Sequence, residues 1–306
     1  MRAADAITPA RARAAFLRAC RLDVETAKPG NVSVESAGHG MTSAQFIESA
    51  TAAADALFSR GAAIGPRILD AVTLTRARVA CNTNLGIVLL VAPLAAALES
   101  TPAASATPAP RDAATWQRAT EAALAALDVD DARAAYRAIA LANPGGLGDA
   151  PEQTVHAEPT VSLREAMALA AARDSIARQY AEGFRDVFEI HAAAAREWPR
   201  ETPPGVVTLD VYLTYLSRWP DSHIVRKHGE TVAQSVTREA QRQHAQWRIA
   251  RDKTRGAEDG IAANALARWD AELKARGINP GTSADLTVAT LFVAGVLDDV
   301  GPVTGA

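Results

Sequence analysis

Aromatic residues are scarce in this chain of 306 residues, at 5%, and cysteine occurs only twice. A β-sandwich core leans on rings and β-branched side chains, so a chain this poor in aromatics is badly equipped to fill one. Two cysteines, Cys20 and Cys81, exclude a disulfide framework and a four-cysteine zinc site. Charge of one sign is also missing: 32 Lys and Arg against 35 Asp and Glu leave a net charge of -3. That argues against nucleic-acid binding driven by bulk charge and leaves open only a local basic groove, so no nucleic-acid partner is expected. No apolar run reaches the roughly 18 residues of a membrane span. The best, Leu85 to Leu98, is short and holds Pro93. No secretory signal follows Arg2, so a cytoplasmic protein is expected.

What the chain has instead is alanine, about 70 residues, roughly three times ordinary usage. Alanine is the best helix former and lets helices approach closely. Periodicity agrees. The spacing predicts helices over Ala10–Glu25, from a Thr42 or Ser43 cap to about Arg60, and from about Pro66 to Cys81. It predicts more over Leu85–Glu99, Thr115–Ala126, Asp130–Ala142, Thr208–Ser217, Glu230–Ala250, Gly260–Arg276 and Ser283–Leu297. Ser162 and Glu165 form a capping-box pattern. After it, apolar positions from Leu163 to Phe188 recur at steps of four and three, which reads as one continuous helix of seven turns. Residues 100–110 read as a flexible surface loop, and the stretch after Asn143 as a Gly-rich loop. The expected fold is all-α: one domain, a bundle-like array of helices around a central polar cleft. Its Ala-rich faces would permit a homodimer.

Several polar positions interrupt this pattern. Asp174 falls within the apolar stripe, where a carboxylate must be paired, metal-bound or protonated. Arg178, one turn on, can pair with it, so it is a structural ion pair or a functional group. In Glu25-Thr26-Ala27-Lys28-Pro29-Gly30-Asn31, Gly30 permits close backbone approach, Lys28 suits phosphate, and Asn31 both donates and accepts; a plain helix stop uses the same residues. Asn82-Thr83-Asn84 precedes an apolar helix whose free N–H groups could take an anion or simply be capped. Near the end, Thr282 or Ser283 can cap a helix whose first turn carries Asp285, a dipole partner or a Mg²⁺ ligand. Asp221 to Gly229 is a compact cationic turn with Arg226 and Lys227, a phosphate grip or a solvated face. His39, between two glycines, is the histidine a loop can present most freely. HExxH, GxSxG and GxxxxGK[ST] are absent, which removes zincins, α/β-hydrolases and P-loop enzymes.

Taken in order, Glu25 with Lys28-Pro29-Gly30, Asn82-Thr83, Leu163-Arg164-Glu165-Ala166-Met167 with Arg173-Asp174, Arg226-Lys227-His228-Gly229 and Asn279-Pro280-Gly281 with Ala284-Asp285-Leu286 resemble the triphosphoribosyl-dephospho-CoA synthase family. The resemblance implies an all-α transferase that uses ATP and dephospho-CoA, releases adenine, and handles ATP with Mg²⁺. It implies Glu25 and Asp174 as catalytic carboxylates and Asp174 and Asp285 as metal or charge groups. Lys28, Gly30, Asn31, His39, Asn82, Asn84, Arg178, Arg226 and Lys227 would then contact substrate or phosphate. Where synthases of the family usually carry His-Lys after Asn-Thr, this chain has Asn84 and Leu85; its Gly38-His39-Gly40-Met41 also lacks the usual Asp. This version is similar to homologues in methanogens and methylotrophs. That leaves open a transferase of methanofuran- or methanopterin-type cofactor assembly, or a non-catalytic nucleotide-binding protein.

Overall fold

The structure, a computed structural model, describes residues 7–36, 40–99, 112–142, 158–254 and 260–297. Fourteen helices and no β-strand occur among them. They are α1 (Pro9–Glu25), α2 (Ser43–Leu57), α3 (Ile64–Val79), α4 (Leu85–Glu99), α5 (Ala113–Ala125), α6 (Val129–Ala142) and α7 (Leu163–Ala170). There follow α8 (Ser175–Ala181), α9 (Arg185–Glu197), α10 (Pro204–Arg218), α11 (Ser222–His228), α12 (Glu230–Thr254), α13 (Gly260–Ala275) and α14 (Gly281–Leu297). The all-α expectation is met. The loops expected at 100–110 and after Asn143, and His39, lie outside the described residues.

Local chemistry explains most helix starts. Thr8 caps α1, and reciprocal boxes of Thr42 with Gln45 and Ser162 with Glu165 open α2 and α7. The expected seven-turn helix from Leu163 is three helices. The first break follows Ala170, and Asp174 accepts from the Ile176 and Ala177 N–H groups, which makes it the N-cap of α8. A carboxylate satisfies two orphan donors there, which a helix interior could not offer it. The second break is at Gly183 and Phe184, both at positive φ (65° and 57°). The cationic turn is itself a short helix, α11, capped by Asp221. Thr282 and Ser283, expected to cap the last helix, lie inside its first turn.

Two apolar clusters form. The larger draws on α1 to α9, on Val211 and Tyr215 of α10 and on most of α14; the smaller on α10 to α13. Helix α14 joins them, with Ala284 in one and Leu286 in the other. It touches α1, α4, α8, α9, α10 and α11, and twelve of its seventeen residues are buried, so it is a central rod. Small residues make this possible: a Cβ at Gly295 would stand 3.2 Å from that of Ala15 on α1. A central helix must present its N-terminus to other elements, and the polar residues gather at that end.

Candidate active site

The N-termini of α4, α8, α11 and α14 meet. Ser175, first in α8, donates its N–H to Ser222 Oγ of α11 at 2.8 Å. His223 of α11 donates its N–H to Thr282 Oγ1 of α14 at 3.1 Å. Asp221 accepts at one oxygen from His223 and Ile224 N–H, and at the other from the Ser283 N–H and hydroxyl at 2.7 and 2.8 Å. One carboxylate thus caps α11 and pins it to α14. Helix α4 enters through Gly86, where a Cβ would lie 2.1 Å from Asp285 Oδ2 and 2.9 Å from Ile176 Cδ1 of α8. The missing side chain lets the Asp285 carboxylate rest on the first turn of α4. Arg226 closes the ring, donating to Asp174 Oδ2 at 2.8 Å.

Asp285 is the focus. Its carboxyl is raised well above the ordinary range, first by burial, then by the charges of Asp23 and Asp221, against the pull of Arg226; Asp174 adds to the rise. Four carboxylates and one arginine therefore share one neighbourhood. Converging helix N-termini supply positive partial charge that favours anions. They allow this crowding, and Asp285 is the member they leave most strained.

Of the expected site residues, Asp174, Arg226 and Asp285 come together here, each keeping partial contact with solvent. Gly30 and Asn31 reach the same end of α14 through Asn31 Nδ2, which donates to Asn279 Oδ1 at 3.0 Å. Lys28 is fully buried, and its ammonium turns back on α1: it donates to the Asp23 and Thr26 carbonyls and lies 3.2 Å from Asp23 Oδ1. Burial pushes Lys28 down and Asp23 up, and each holds the other partly in place. Arg178 does not pair with Asp174 as expected: it reaches Asp186 at 3.0 Å and stacks 4.4 Å over Trp219. The i,i+4 geometry failed because Asp174 sits at the cap, outside the helical turns. Asn84 is buried and donates to Thr75, while Leu85 joins the larger core, so the two positions that depart from the family pattern face packing. Asn82 accepts from the Leu85 N–H. Lys227 and Glu25 are exposed.

The buried carboxylate on the last turns of α1 is Asp23, which the sequence reading passed over. A signal existed. Asp23 follows Phe16 and Cys20 at steps of four and three on the same apolar face, the pattern that drew attention to Asp174. In sequence Asp221 reads only as part of a cationic turn, because its partner Ser283 on α14 is 62 residues away.

The donors are oxygens, which suits a hard divalent cation. Among the described residues no three His, Cys, Asp or Glu side chains stand close enough to cage a metal. Asp285 is the carboxylate whose raised position a nearby cation would relieve. No helix among the described residues is long and apolar enough to cross a membrane.

Comparison with known proteins agrees with this architecture. The family model of ATP:dephospho-CoA triphosphoribosyl transferase matches residues 9–302. A crystal structure of a candidate triphosphoribosyl-dephospho-CoA synthase from Archaeoglobus fulgidus superposes with a TM-score of 0.59 at 24% identity, covering 81% of this chain and 97% of that one. At that identity the likeness is one of fold. No curated protein matches the chain.

Proposed function

Because the chain belongs to the ATP:dephospho-CoA triphosphoribosyl transferase family, and is thereby a transferase, we propose that its polar centre moves the triphosphoribosyl group of ATP onto dephospho-CoA. The bond from the ribose anomeric carbon to the adenine nitrogen breaks, and its electron pair leaves with adenine. A ribose hydroxyl oxygen of dephospho-CoA forms the new bond. The proton that hydroxyl loses balances the one adenine gains. Positive charge develops on the anomeric carbon, so a preorganised carboxylate beside it lowers the barrier.

The observation that carries this reading is the junction of four helix N-termini around Asp285. Asp285 supplies the negative charge that faces the anomeric carbon. Arg226, with Lys227 beside it in sequence, receives phosphate oxygens, and Asp174 holds Arg226 in place. Lys28 acts indirectly, by neutralising Asp23. Asn31 and Asn279 offer amide groups to the sugar or the base. Magnesium would enter as a companion of the triphosphate, and when bound it would neutralise phosphate charge.

The test is direct. The protein is incubated with ATP, Mg²⁺ and dephospho-CoA, and free adenine is measured by chromatography. Adenine equal in amount to a new triphosphoribosylated product is expected. Adenine released only with a one-carbon cofactor precursor as acceptor would move the chain to the alternative pathway. No adenine with either acceptor overturns the catalytic reading.

A further inference from the structure

The loop after α1 is held from an unexpected side. Gly30 has φ of +79°, and a Cβ there would meet Pro280 Cδ at 2.8 Å and Leu273 Cδ1 at 2.9 Å, so the loop lies directly on the approach to α14. Its N–H donates to Asp270 Oδ1 of α13 at 2.8 Å. The other oxygen of Asp270 accepts from the Ser36 hydroxyl and from Lys274 Nζ, each at 3.0 Å. Lys274 completes the triangle by donating to the Ser36 carbonyl at 3.1 Å and to its hydroxyl at 2.6 Å. Both ends of the loop are thus tied to one carboxylate on a helix of the smaller cluster. Between the ties stands Asn31, bonded to Asn279 at the entrance to α14.

We propose that Asp270 is a positioning residue: by holding the Gly30 N–H it fixes the Asn31–Asn279 pair beside the helix that carries Asp285. The argument is geometric and rests on the transferase reading above. An irregular loop has no ladder of its own to set the angle of one amide side chain. A charged acceptor on a rigid helix does that, since hydrogen bonds to ionised groups are about twice as strong as neutral ones. Small misplacement of a substrate-facing group weighs on turnover more than on folding.

Three measurements on the full chain test this. Asp270→Ala should lower kcat for adenine release about 10- to 100-fold, with KM for ATP within about threefold. Asp270→Asn keeps an oxygen for Gly30 but loses the charge, and should recover only part of that loss. Hydrogen exchange on the ligand-free protein reads the lock without any reaction, and peptides across 26–36 should exchange faster in Asp270→Ala than in wild type. Unchanged exchange, unchanged kcat, or an Asp270→Asn variant as impaired as Asp270→Ala overturns the proposal. A wild-type chain that protects this segment yet releases no adenine would sink the transferase reading and leave the lock standing.

Discussion

Two carboxylates in this molecule, both drawn away from bulk water, have opposite fates. Asp210 of α10 lies beside the smaller cluster and accepts four hydrogen bonds from three side chains: His244 at 2.7 Å, Arg248 twice at 2.8 Å, and Trp198 Nε1 at 3.0 Å, with the Asp210–His244 contact requiring the ring nitrogen to carry the proton. Burial alone would raise it, but those hydrogen bonds outweigh burial and bring it down to about 2. Asp285 sits among other carboxylates and is driven upward by burial and by their charge. Desolvation acts on both, so the partners decide the outcome. A carboxylate with its partners built in belongs to the fold. One held at high energy among like charges is unfinished until a cation or a developing positive charge arrives.

The largest expected effect divides the pair. Asp285→Asn should reduce adenine release about 10²- to 10³-fold, the scale of removing one preorganised electrostatic group. The same change should raise Tm at pH 7, because folding no longer has to hold or neutralise a carboxylate whose charged form it disfavours. The sign follows from the direction of the shift: a carboxyl raised by folding withdraws stability as pH climbs past its ordinary value of 3.8, so the variant gains nothing near pH 3. Full activity together with a lowered Tm would make Asp285 a structural group like Asp210. Next in size is Gly86→Ala. The new methyl would press on the Asp285 carboxylate, a side-chain end that can give way. The fold should survive while kcat drops about 10- to 100-fold through displacement of that carboxylate. Equal loss of stability and rate would assign Gly86 to packing alone.

The sequence made the helices legible and left their junctions obscure. Alanine content and periodicity placed most helices within a few residues, since both report on local propensity and on one buried face. They could not separate α7, α8 and α9. The apolar stripe ran on in register through Asp174 and Phe184, and only capping at Asp174 and the left-handed pair Gly183-Phe184 show where the chain turns. The site was legible where its residues fell at helix boundaries, as Asp174, Arg226 and Asp285 do. Lys28 misled because a lysine beside Pro-Gly looks like a phosphate contact, whereas its ammonium closes the end of α1. Asp210 was invisible altogether. Its partners His244 and Arg248 lie 34 and 38 residues away, and nothing in local spacing links them.

The smallest expected effect tests the other half of the contrast. Asp210→Asn leaves His244, Arg248 and Trp198 facing a neutral amide, and the loss should be about 2–3 kcal/mol of stability, because Arg248 is partly exposed and can turn to water. The rate per folded molecule should stay within about twofold of wild type, since none of these groups belongs to the junction around Asp285. Acid adds an independent check. A folded value near 2 lies below the ordinary 3.8, so the ionised form is the one folding favours. Its contribution is fully present above about pH 4 and is lost as pH falls toward 2, amounting to about 2 kcal/mol across that window. Denaturant titrations at pH 5, 4, 3 and 2 should show this acid-limb slope in wild type and a shallower one in Asp210→Asn, with Asp285→Asn retaining it. Equal slopes in wild type and Asp210→Asn would mean that the hydrogen bonds around Asp210 do not favour its charge, and the two carboxylates would no longer stand apart.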